Sequence, residues 1–370
     1  MIPDDSSLAF ASSLAPYMAW SKTRPVPTYD LAGSNLLHCD ASDLPASLHG
    51  LELTGPNDEG HAALIDAIAR RYAMTADRVA TAPGAGGANF LAFAALVRPG
   101  DDVLVERPGY DPISGALRLL GANVRRFERR FEEGYALDPD RIAAALTPRT
   151  RLIVLTSPHN PSGAVASEET LEAVGIVAER AGARVLVDEV YLDAVFVDRP
   201  RPAANLSDTF ISTSSLTKAY GLSGLRSGWI LAAPQVATAA RRARDVVDGV
   251  APFITDELAL AAFRDLDRLA ARARAILEPN TAALAEFIRS RPELSWIRPR
   301  GGNVAFPRLE GSLDTRPLAE RLLREYGTAV VPGVFFDEPA HLRIAFGCAA
   351  STLQAGLTAL GKVLDGRYLL

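Results

Sequence analysis

The chain contains little lysine. Of its 39 lysine and arginine residues, only Lys22, Lys218 and Lys362 are lysines. An arginine can replace a lysine as a solvated positive charge, but a guanidinium stays protonated and does not form an imine with an aldehyde. A lysine that persists in such a chain is therefore a candidate for covalent chemistry, and an ordinary surface lysine in a loop is the alternative.

Cysteine, basic blocks and long apolar runs are also scarce. The two cysteines, Cys39 and Cys348, lie far apart in sequence and do not make a disulfide framework, which favours a reducing compartment. The net charge is −5 and no basic block occurs, which argues against a nucleic-acid partner. The first ten residues include acidic residues where a signal peptide has basic ones, and no apolar run has the length of a membrane span. We expect a cytoplasmic protein that binds neither nucleic acid nor membrane.

The middle of the chain alternates short apolar runs with helical patterns. The runs lie at residues 102–106, 123–127, 152–156, 184–187, 210–212 and 229–232. Several are apolar throughout, which is typical of strands covered on both faces. Their alternation with helices predicts an α/β fold with a mainly parallel sheet flanked by helices. In such a sheet, ligands bind beyond the carboxyl ends of the strands.

Lys218 lies between two of these runs, in the segment SSLTKAYGLSGLRSGW. Ser215 precedes it by three residues and Arg226 follows it by eight, and together a hydroxyl and a guanidinium suit a phosphate group. Gly221, Gly224 and Gly228 allow sharp turns and close approach of the backbone to a ligand.

The segment matches every fixed position of the motif S-x-x-K-x-x-G-L-x-G-x-R-x-G. In this motif the chain resembles the pyridoxal-phosphate enzymes of classes I and II, which have the aspartate aminotransferase fold (fold type I). The resemblance extends from about residue 30 to about residue 365. It implies that Lys218 holds pyridoxal 5′-phosphate as an internal imine, that the parallel sheet is of the seven-stranded type, and that the protein is a homodimer with active sites at the subunit interface.

The chain is long enough for one large and one small domain. We predict that residues 1–45 form an N-terminal arm and part of the small domain, and that residues 46–280 form the large cofactor-binding domain. Residues 281–370 form a small C-terminal α+β domain in this prediction. Pro279 lies in a strongly helical region, where we expect a helix break near the exit from the large domain.

Asp188 directly follows the apolar run RVLV, and Tyr191 comes three residues later. A carboxylate at a strand end often caps a helix or binds a metal, but the sequence has no histidine or cysteine cluster to complete a metal site, so we expect no metal. The segment D-E-x-Y resembles a second signature of the same family. The resemblance implies that Asp188 pairs with the cofactor's pyridinium nitrogen and that Tyr191 donates to its phenolate oxygen.

Two further segments suit the cofactor. Gly84, Ala85 and Gly86 precede a predicted helix, and backbone amides at a glycine-rich helix N-terminus bind phosphate well. Thr213 is a further candidate beside the phosphate. Tyr110 matches the family position whose aromatic ring stacks on the cofactor, and a loop tyrosine packed for bulk is the alternative.

The resemblance also implies a substrate site. Arg343 matches the arginine that grips the substrate α-carboxylate, and Gly33 is expected over the same carboxylate. Asn160 lies in the turn SPHNPSG and matches the asparagine that binds the phenolate oxygen, where it also borders the substrate. We predict a cis Asn160–Pro161 bond and a local turn contact, rather than catalysis, for His159.

The residues together predict an amino acid aminotransferase that transfers an amino group from an α-amino acid to a 2-oxo acid. The alternatives are a lyase, cyclase or eliminase of the same fold, or a relative that binds amino acids without catalysis. One position departs from the family pattern: Thr54 occupies the place where a tyrosine commonly reaches the partner subunit's phosphate site. No clear second arginine is present for a side-chain carboxylate, so a dicarboxylic substrate is not supported.

Overall fold

The structure is a computed structural model that describes residues 14–44 and 50–366. The acidic N-terminal residues from which we argued against a signal peptide lie outside this part of the chain. The helices that position the site are α1 (Pro16–Thr23), α2 (Ala62–Arg71), α3 (Gly84–Leu96), α4 (Asp111–Leu119), α5 (Pro139–Ala145), α6 (Glu168–Arg180), α7 (Leu216–Tyr220), α8 (Pro234–Val247), α9 (Phe253–Phe263), α10 (Leu266–Arg289), α11 (Arg316–Tyr326) and α12 (Ala350–Asp365). Among the described residues, no helix is both long and apolar enough to cross a bilayer.

The strands are short and mostly buried. They are β1 (Tyr29–Asp30), β2 (Val79–Pro83), β3 (Asp102–Arg107), β4 (Asn123–Glu128), β5 (Thr150–Thr156), β6 (Arg184–Asp188), β7 (Phe210–Ser215), β8 (Ser227–Leu231), β9 (Leu294–Ser295), β10 (Val304–Ala305), β11 (Arg308–Leu309), β12 (Thr328–Ala329), β13 (Val331–Pro332) and β14 (Leu342–Ala345). All six apolar runs that we predicted as strands are strands in the structure.

Seven strands form the central sheet, in the order β2-β8-β7-β6-β5-β3-β4. The strands β4, β3, β5, β6 and β7 are parallel to one another, whereas β8 is antiparallel to both β7 and β2. This arrangement confirms the predicted α/β fold with a mainly parallel seven-stranded sheet. Because the carboxyl ends of the parallel strands share one edge, the segments that follow these strands meet there.

Side chains of the parallel strands enter two different hydrophobic clusters. On β3, Val103 and Val105 pack in one cluster, whereas Leu104 between them packs in the other. The helix α3 contributes to the first cluster through Phe93, and α6 contributes to the second through Val174. Alternate residues of a strand point to opposite faces, so a strand covered by helices on both faces must be apolar throughout.

The N-terminal segment joins elements from the C-terminal part of the chain. The strand β1 pairs in parallel with β12, and β14 lies between β10 and β13 in an antiparallel sheet of three strands. This pairing supports the proposal that residues up to about 45 contribute to the small domain.

The expected helix break at Pro279 is wrong. The helix α10 continues from Leu266 to Arg289 with Pro279 inside it, so the proposed boundary at residue 280 falls within a helix. A proline in a helix interior costs roughly 3 kcal/mol. The next residue, Asn280, is buried and donates hydrogen bonds of 2.8 Å to the carbonyl oxygens of Phe346 and Cys348, which ties this turn to the C-terminal elements. Tertiary contacts therefore outweigh the local preference.

A buried ion pair ties β3 to the segment after β4. The Arg129 guanidinium lies 2.8 Å from the carboxylate of Glu106, and both side chains are almost fully buried. Glu106 also accepts hydrogen bonds from the backbone amide and the hydroxyl of Thr156, at 2.8 and 2.6 Å. Removal of one partner leaves the other as an uncompensated buried charge.

We expect Arg129→Met to lower the free energy of unfolding by about 3–5 kcal/mol, because Glu106 loses its cationic partner. The matched control is Arg130→Met at the neighbouring exposed position, where we expect a change within about 0.5 kcal/mol. Urea denaturation of both variants measures the difference. Equal stability of the two variants would contradict a structural role for the buried pair.

Candidate active site

Nine of the predicted site residues line a cavity of about 360 Å³ at the carboxyl edge of the parallel strands. Tyr110 follows β3, Asn160 follows β5, Asp188 ends β6, and Lys218 follows β7. The wall consists of Met18, Ser34, Asn35, Ala85, Gly86, Asn89, Tyr110, Pro112, Thr156, Asn160, Asp188, Val190, Tyr191, Ser215, Thr217, Lys218, Ser223 and Arg226. The sheet topology thus brings together residues that are more than one hundred positions apart.

Lys218 reaches the cavity from the short helix α7. Its Nζ donates hydrogen bonds to Ser34 Oγ at 2.6 Å and to Asn35 Oδ1 at 2.8 Å. Both acceptors are neutral, so neither holds the amine in its charged form as a carboxylate would. The sequence analysis did not identify Ser34 or Asn35, although they directly follow the glycine that it did select, Gly33.

The amine of Lys218 is far less basic than an ordinary lysine. Burial, helped by the guanidinium groups of Arg343 and Arg226, lowers its pKa to about 7, although the carboxylate of Asp188 acts in the opposite direction. A substantial fraction of the amine is therefore unprotonated near neutral pH, as a nucleophile or a general base requires.

Asp188 is buried and accepts two hydrogen bonds. Asn89 Nδ2 donates to its Oδ2 at 2.7 Å, and the backbone amide of Val190 donates to its Oδ1 at 3.1 Å. Burial raises the pKa of Asp188, and these two hydrogen bonds and the charge of Lys218 oppose the rise. No group of three or more histidine, cysteine, aspartate or glutamate side chains suitable for a metal ion occurs within residues 14–44 and 50–366.

Two tyrosines border the cavity. The hydroxyl of Tyr191 is buried and has no hydrogen-bond partner in the described part of the chain. Burial raises the pKa of Tyr191 to about 12, although Arg343 lowers it, so the hydroxyl keeps its proton and is free to donate. Tyr110 caps α4, and its hydroxyl lies 3.4 Å from the sulfur of Met18.

The N-terminus of α3 forms the other end of the cavity. Gly84 has φ +74°, and a Cβ at this position would overlap the guanidinium of Arg226, so both the turn and the close approach require glycine. Ala85 and Gly86 line the cavity with the first turn of the helix. Thr217 lines it as well, and its buried hydroxyl has no partner among the described residues. The hydroxyl of Thr217 is a further candidate to bind the phosphate. Its position directly before Lys218 could have identified it from the sequence.

Ser215 lines the cavity together with Lys218. It is the N-cap of α7, and its hydroxyl accepts a hydrogen bond from the backbone amide of Thr217 at 3.3 Å. The oxygen remains able to donate its proton to an anion in the cavity.

Arg343 is fully buried on β14 and has only neutral hydrogen-bond partners. It donates to Asn160 Oδ1 at 3.3 Å, to the hydroxyl of Tyr17 at 2.6 Å and to the carbonyl oxygen of Ala32 at 2.9 Å. Its Nε is buried without a partner, and no carboxylate of the described residues lies within salt-bridge distance. Tyr17, from α1, was not identified from the sequence.

Asn160 is held in place by the buried ion pair described above. Its backbone amide donates to Thr156 Oγ1 at 2.9 Å, and Thr156 in turn donates to Glu106. The local turn contact expected for His159 is confirmed: its ring nitrogens lie 2.7 Å from Ser162 Oγ and 2.9 Å from the carbonyl oxygen of Pro108. Burial keeps the pKa of His159 well below its usual value.

The prediction of a cis Asn160–Pro161 bond is wrong. The cis bonds in the described part of the chain are Arg107–Pro108 and Ser157–Pro158. The turn after β5 closes through the backbone amide of Gly163, which donates to the carbonyl oxygen of His159 at 2.7 Å, and trans geometry at Pro161 permits this bond.

Five predicted positions do not line the cavity: Gly33, Thr54, Gly84, Thr213 and Arg343. Gly84 and Arg343 contact residues of its wall, Arg226 and Asn160 respectively. The backbone amide of Gly33 donates a hydrogen bond to Asp30 Oδ1 at 3.1 Å within a local turn. The next two residues, Ser34 and Asn35, line the cavity instead. Thr213 is fully buried behind Asn89 rather than at the phosphate end. Thr54 is exposed.

The comparisons with known proteins agree with this geometry. The family model described as aminotransferase class I and II matches residues 32–360. Capreomycidine synthase from Streptomyces vinaceus is 37% identical over 290 residues, which cover 77% of this chain and 74% of the relative.

Two solved structures have the same fold. A PLP-dependent aminotransferase from Streptococcus suis 89-1591 superposes with a TM-score of 0.87 at 28% identity, and the match covers 99% of this chain and 98% of that one. The PLP-dependent cyclase OrfR superposes with a TM-score of 0.85 at 27% identity, covering 96% and 97% of the two chains.

The residues fit pyridoxal phosphate. The cavity offers an amine at Lys218 for the aldehyde, a buried carboxylate at Asp188 for the ring nitrogen, and an unpartnered donor at Tyr191 for the ring oxygen. The unpartnered hydroxyl of Thr217, the helix N-terminus and Arg226 suit the phosphate.

We expect the rate at which the apoenzyme captures pyridoxal phosphate to rise with pH and to level off above about 7, because the pKa of Lys218 sets the fraction of unprotonated amine. Stopped-flow absorbance measures this rate. Nα-acetyl-lysine with the same aldehyde is the control, and its rate should keep rising towards pH 10, near an ordinary lysine pKa of about 10.4. The same profile for enzyme and control would contradict the lowered pKa.

Proposed function

The chain belongs to the class I and II aminotransferases, which are enzymes that depend on pyridoxal phosphate, and we propose that Lys218, Asp188 and Arg343 carry out amino transfer in it. In this proposal, an α-amino acid gives its amino group to the cofactor, and a 2-oxo acid then receives it. The cytoplasmic location expected from the sequence remains a prediction.

Bound pyridoxal phosphate supplies an aldehyde that condenses with amino groups and a ring that withdraws electrons from the substrate Cα. The side chains have separate tasks. The Nζ of Lys218, once free, takes the proton from the substrate Cα. Asp188 would hold a proton at the ring nitrogen, and Tyr191 and Asn160 would donate to the ring oxygen. Arg226, Ser215 and the N-terminus of α3 would hold the phosphate, and Tyr110 would set the plane of the ring.

The observation that carries the substrate assignment is the buried guanidinium of Arg343. A charge removed from water without an opposite charge is strongly destabilised, yet the hydrogen-bond partners of Arg343 are all neutral. An incoming α-carboxylate supplies the missing negative charge and can take two parallel hydrogen bonds from the guanidinium. Tyr17 then has to yield its hydrogen bond or share it with the carboxylate.

The wall of the cavity leaves no charged group for the substrate side chain. Its charged members are Asp188, Lys218 and Arg226, and each has a task towards the cofactor. The remaining wall near α1 and α4 includes Met18 and Pro112. We therefore propose that the donor amino acid does not carry a second carboxylate.

We also propose that the protein is a homodimer. The end of α8 and the following loop expose Val246, Val247 and Val250, and Leu53 is exposed on a neighbouring loop that is joined to this region by a hydrogen bond of 2.7 Å from Asn57 to the carbonyl oxygen of Ala251. Exposed apolar side chains grouped in this way favour an interface with a second copy.

We expect sedimentation equilibrium to give about twice the mass of one chain, 39.4 kDa. Val246→Glu should shift the protein towards monomer, because a charge would be buried in the interface. Leu313→Glu, at an exposed position elsewhere, is the control and should leave the mass unchanged. A monomeric wild-type protein at micromolar concentration would contradict the proposal.

A second function has specific support. The synthase relative is 37% identical, and the cyclase OrfR matches almost the whole chain. In a cyclase, the same Lys218 would take the Cα proton, and the electrons of that bond would expel a protonated leaving group from Cβ. A nucleophile of the same substrate would then form the ring bond to Cβ, and a proton would return to Cα. The two functions differ in whether turnover needs an added 2-oxo acid.

We expect Lys218→Ala to abolish turnover and the visible absorbance of the bound cofactor, because no other residue in the cavity wall has a primary amine. Lys362→Ala, on α12, is the control and should behave as wild type. Retained activity in Lys218→Ala would refute the assignment. For the wild type, a screen of amino acids should yield the pyridoxamine form of the cofactor and a 2-oxo acid. Repeated turnover to a cyclic product without an added 2-oxo acid would instead establish the cyclase alternative.

A further inference from the structure

An asparagine interrupts the apolar face of α3. Asn89 is almost fully buried, and the same helix contributes Ala88, Leu91, Ala92 and Phe93 to the hydrophobic core. A buried amide costs free energy unless its donors and acceptor are satisfied. The position therefore demands specific polar partners, and the sequence analysis did not single it out.

Those partners are two neighbours in the sheet. Asp188 on β6 and Thr213 on β7 are paired in register, and Asn89 bridges them from the helix. Its Nδ2 donates to Asp188 Oδ2 at 2.7 Å, and its Oδ1 accepts from Thr213 Oγ1 at 2.6 Å. Because an ionised carboxylate only accepts, the amide must present its nitrogen to Asp188, and the fully buried hydroxyl of Thr213 then fixes the other side.

This chain of hydrogen bonds acts on the ionisation of Asp188. Burial raises the pKa of Asp188, and among the groups that oppose this rise the Asn89 amide has a larger effect than the Val190 amide or the Lys218 charge. When the Asp188 carboxylate is less basic, a proton shared between it and the ring nitrogen of the cofactor stays on the nitrogen. Asparagine does not titrate, so its support stays constant with pH, unlike that of a histidine.

We propose that Asn89, oriented by Thr213, is a positioning residue that keeps Asp188 ionised and thereby keeps the proton on the ring nitrogen of the cofactor. The proposal rests on the role proposed above for Asp188. It assigns a function to a side chain that touches the carboxylate and borders the cavity but needs no contact with the substrate.

The test uses the holoenzyme loaded with pyridoxal phosphate labelled with ¹⁵N in the ring. We expect the ¹⁵N chemical shift of the wild type to be that of a protonated ring nitrogen. In Asn89→Leu, which keeps the side-chain size but removes the amide, the shift should move towards that of a neutral pyridine. The rate of the half-reaction with an amino acid should fall about tenfold or more, while the KM for that amino acid changes little, because a hydrogen bond to a charged group is lost.

Two further variants sharpen the result. Thr213→Val removes the hydroxyl that orients Asn89 and should shift the ¹⁵N signal in the same direction by a smaller amount. A wild-type signal in Thr213→Val would contradict the orienting role of Thr213. Asn205→Leu removes a hydrogen bond of 3.0 Å to the carbonyl oxygen of Tyr72 and is the matched control, which should keep the wild-type shift and rate. Thermal unfolding of each apoenzyme identifies a variant that fails to fold. If Asn89→Leu fails to fold, Asn89→Ala serves in its place, because it also removes the amide that donates to Asp188 and adds no bulk at the buried position.

Asp188→Asn distinguishes a failure of the role proposed for Asp188 from a failure of the role proposed for Asn89. An unchanged ring-nitrogen signal in Asp188→Asn contradicts the role proposed for Asp188 and, with it, the role of Asn89. A changed signal in Asp188→Asn together with a wild-type signal and rate in Asn89→Leu overturns the Asn89 proposal alone and leaves the proposed function intact.

Discussion

Lys218 lies with its amine between two neutral acceptors, Ser34 and Asn35, and within the field of two guanidinium groups, those of Arg343 and Arg226. Its single nearby carboxylate, Asp188, does not outweigh burial and the two cations. This balance keeps the amine reactive near neutral pH, which the covalent attachment of an aldehyde requires. The remaining architecture either holds these groups at their positions or places the ligand beside them.

The sheet accounts for most of these positions. Parallel strands send their following segments to one edge, so Tyr110, Asn160, Asp188 and Lys218 converge although the chain between them forms helices. The convergence requires only that the strands be parallel, and the alternation of strands with helices indicates this in the sequence. The fold and the main site residues could therefore be predicted from apolar runs and from one specific motif. The two cations are Arg226, which directly precedes β8, and Arg343 on β14. The guanidinium close to Lys218 in sequence already suggested a phosphate role for Arg226, whereas only the resemblance indicated the role of Arg343.

The residues that could not be predicted depend on contacts between distant segments. Ser34 and Asn35 approach Lys218 because β1, which precedes them, pairs with β12. Tyr17 on α1 contacts Arg343 on β14, 326 residues later in the chain. Asn89 has meaning only once α3 is packed on β6 and β7. At Pro279 the low helix propensity of proline predicted a helix break that does not occur. The hydrogen bonds of the neighbouring Asn280 to the C-terminal elements outweigh this preference.

The central claim is that one particular amine carries the cofactor. The most direct test is reduction of the holoenzyme with borohydride, followed by digestion and mass spectrometry of the peptides. The account predicts that the pyridoxyl group is attached to Lys218 in stoichiometric amount. Attachment to Lys22 or Lys362, or the absence of any labelled peptide from an enzyme that binds the cofactor, would contradict it.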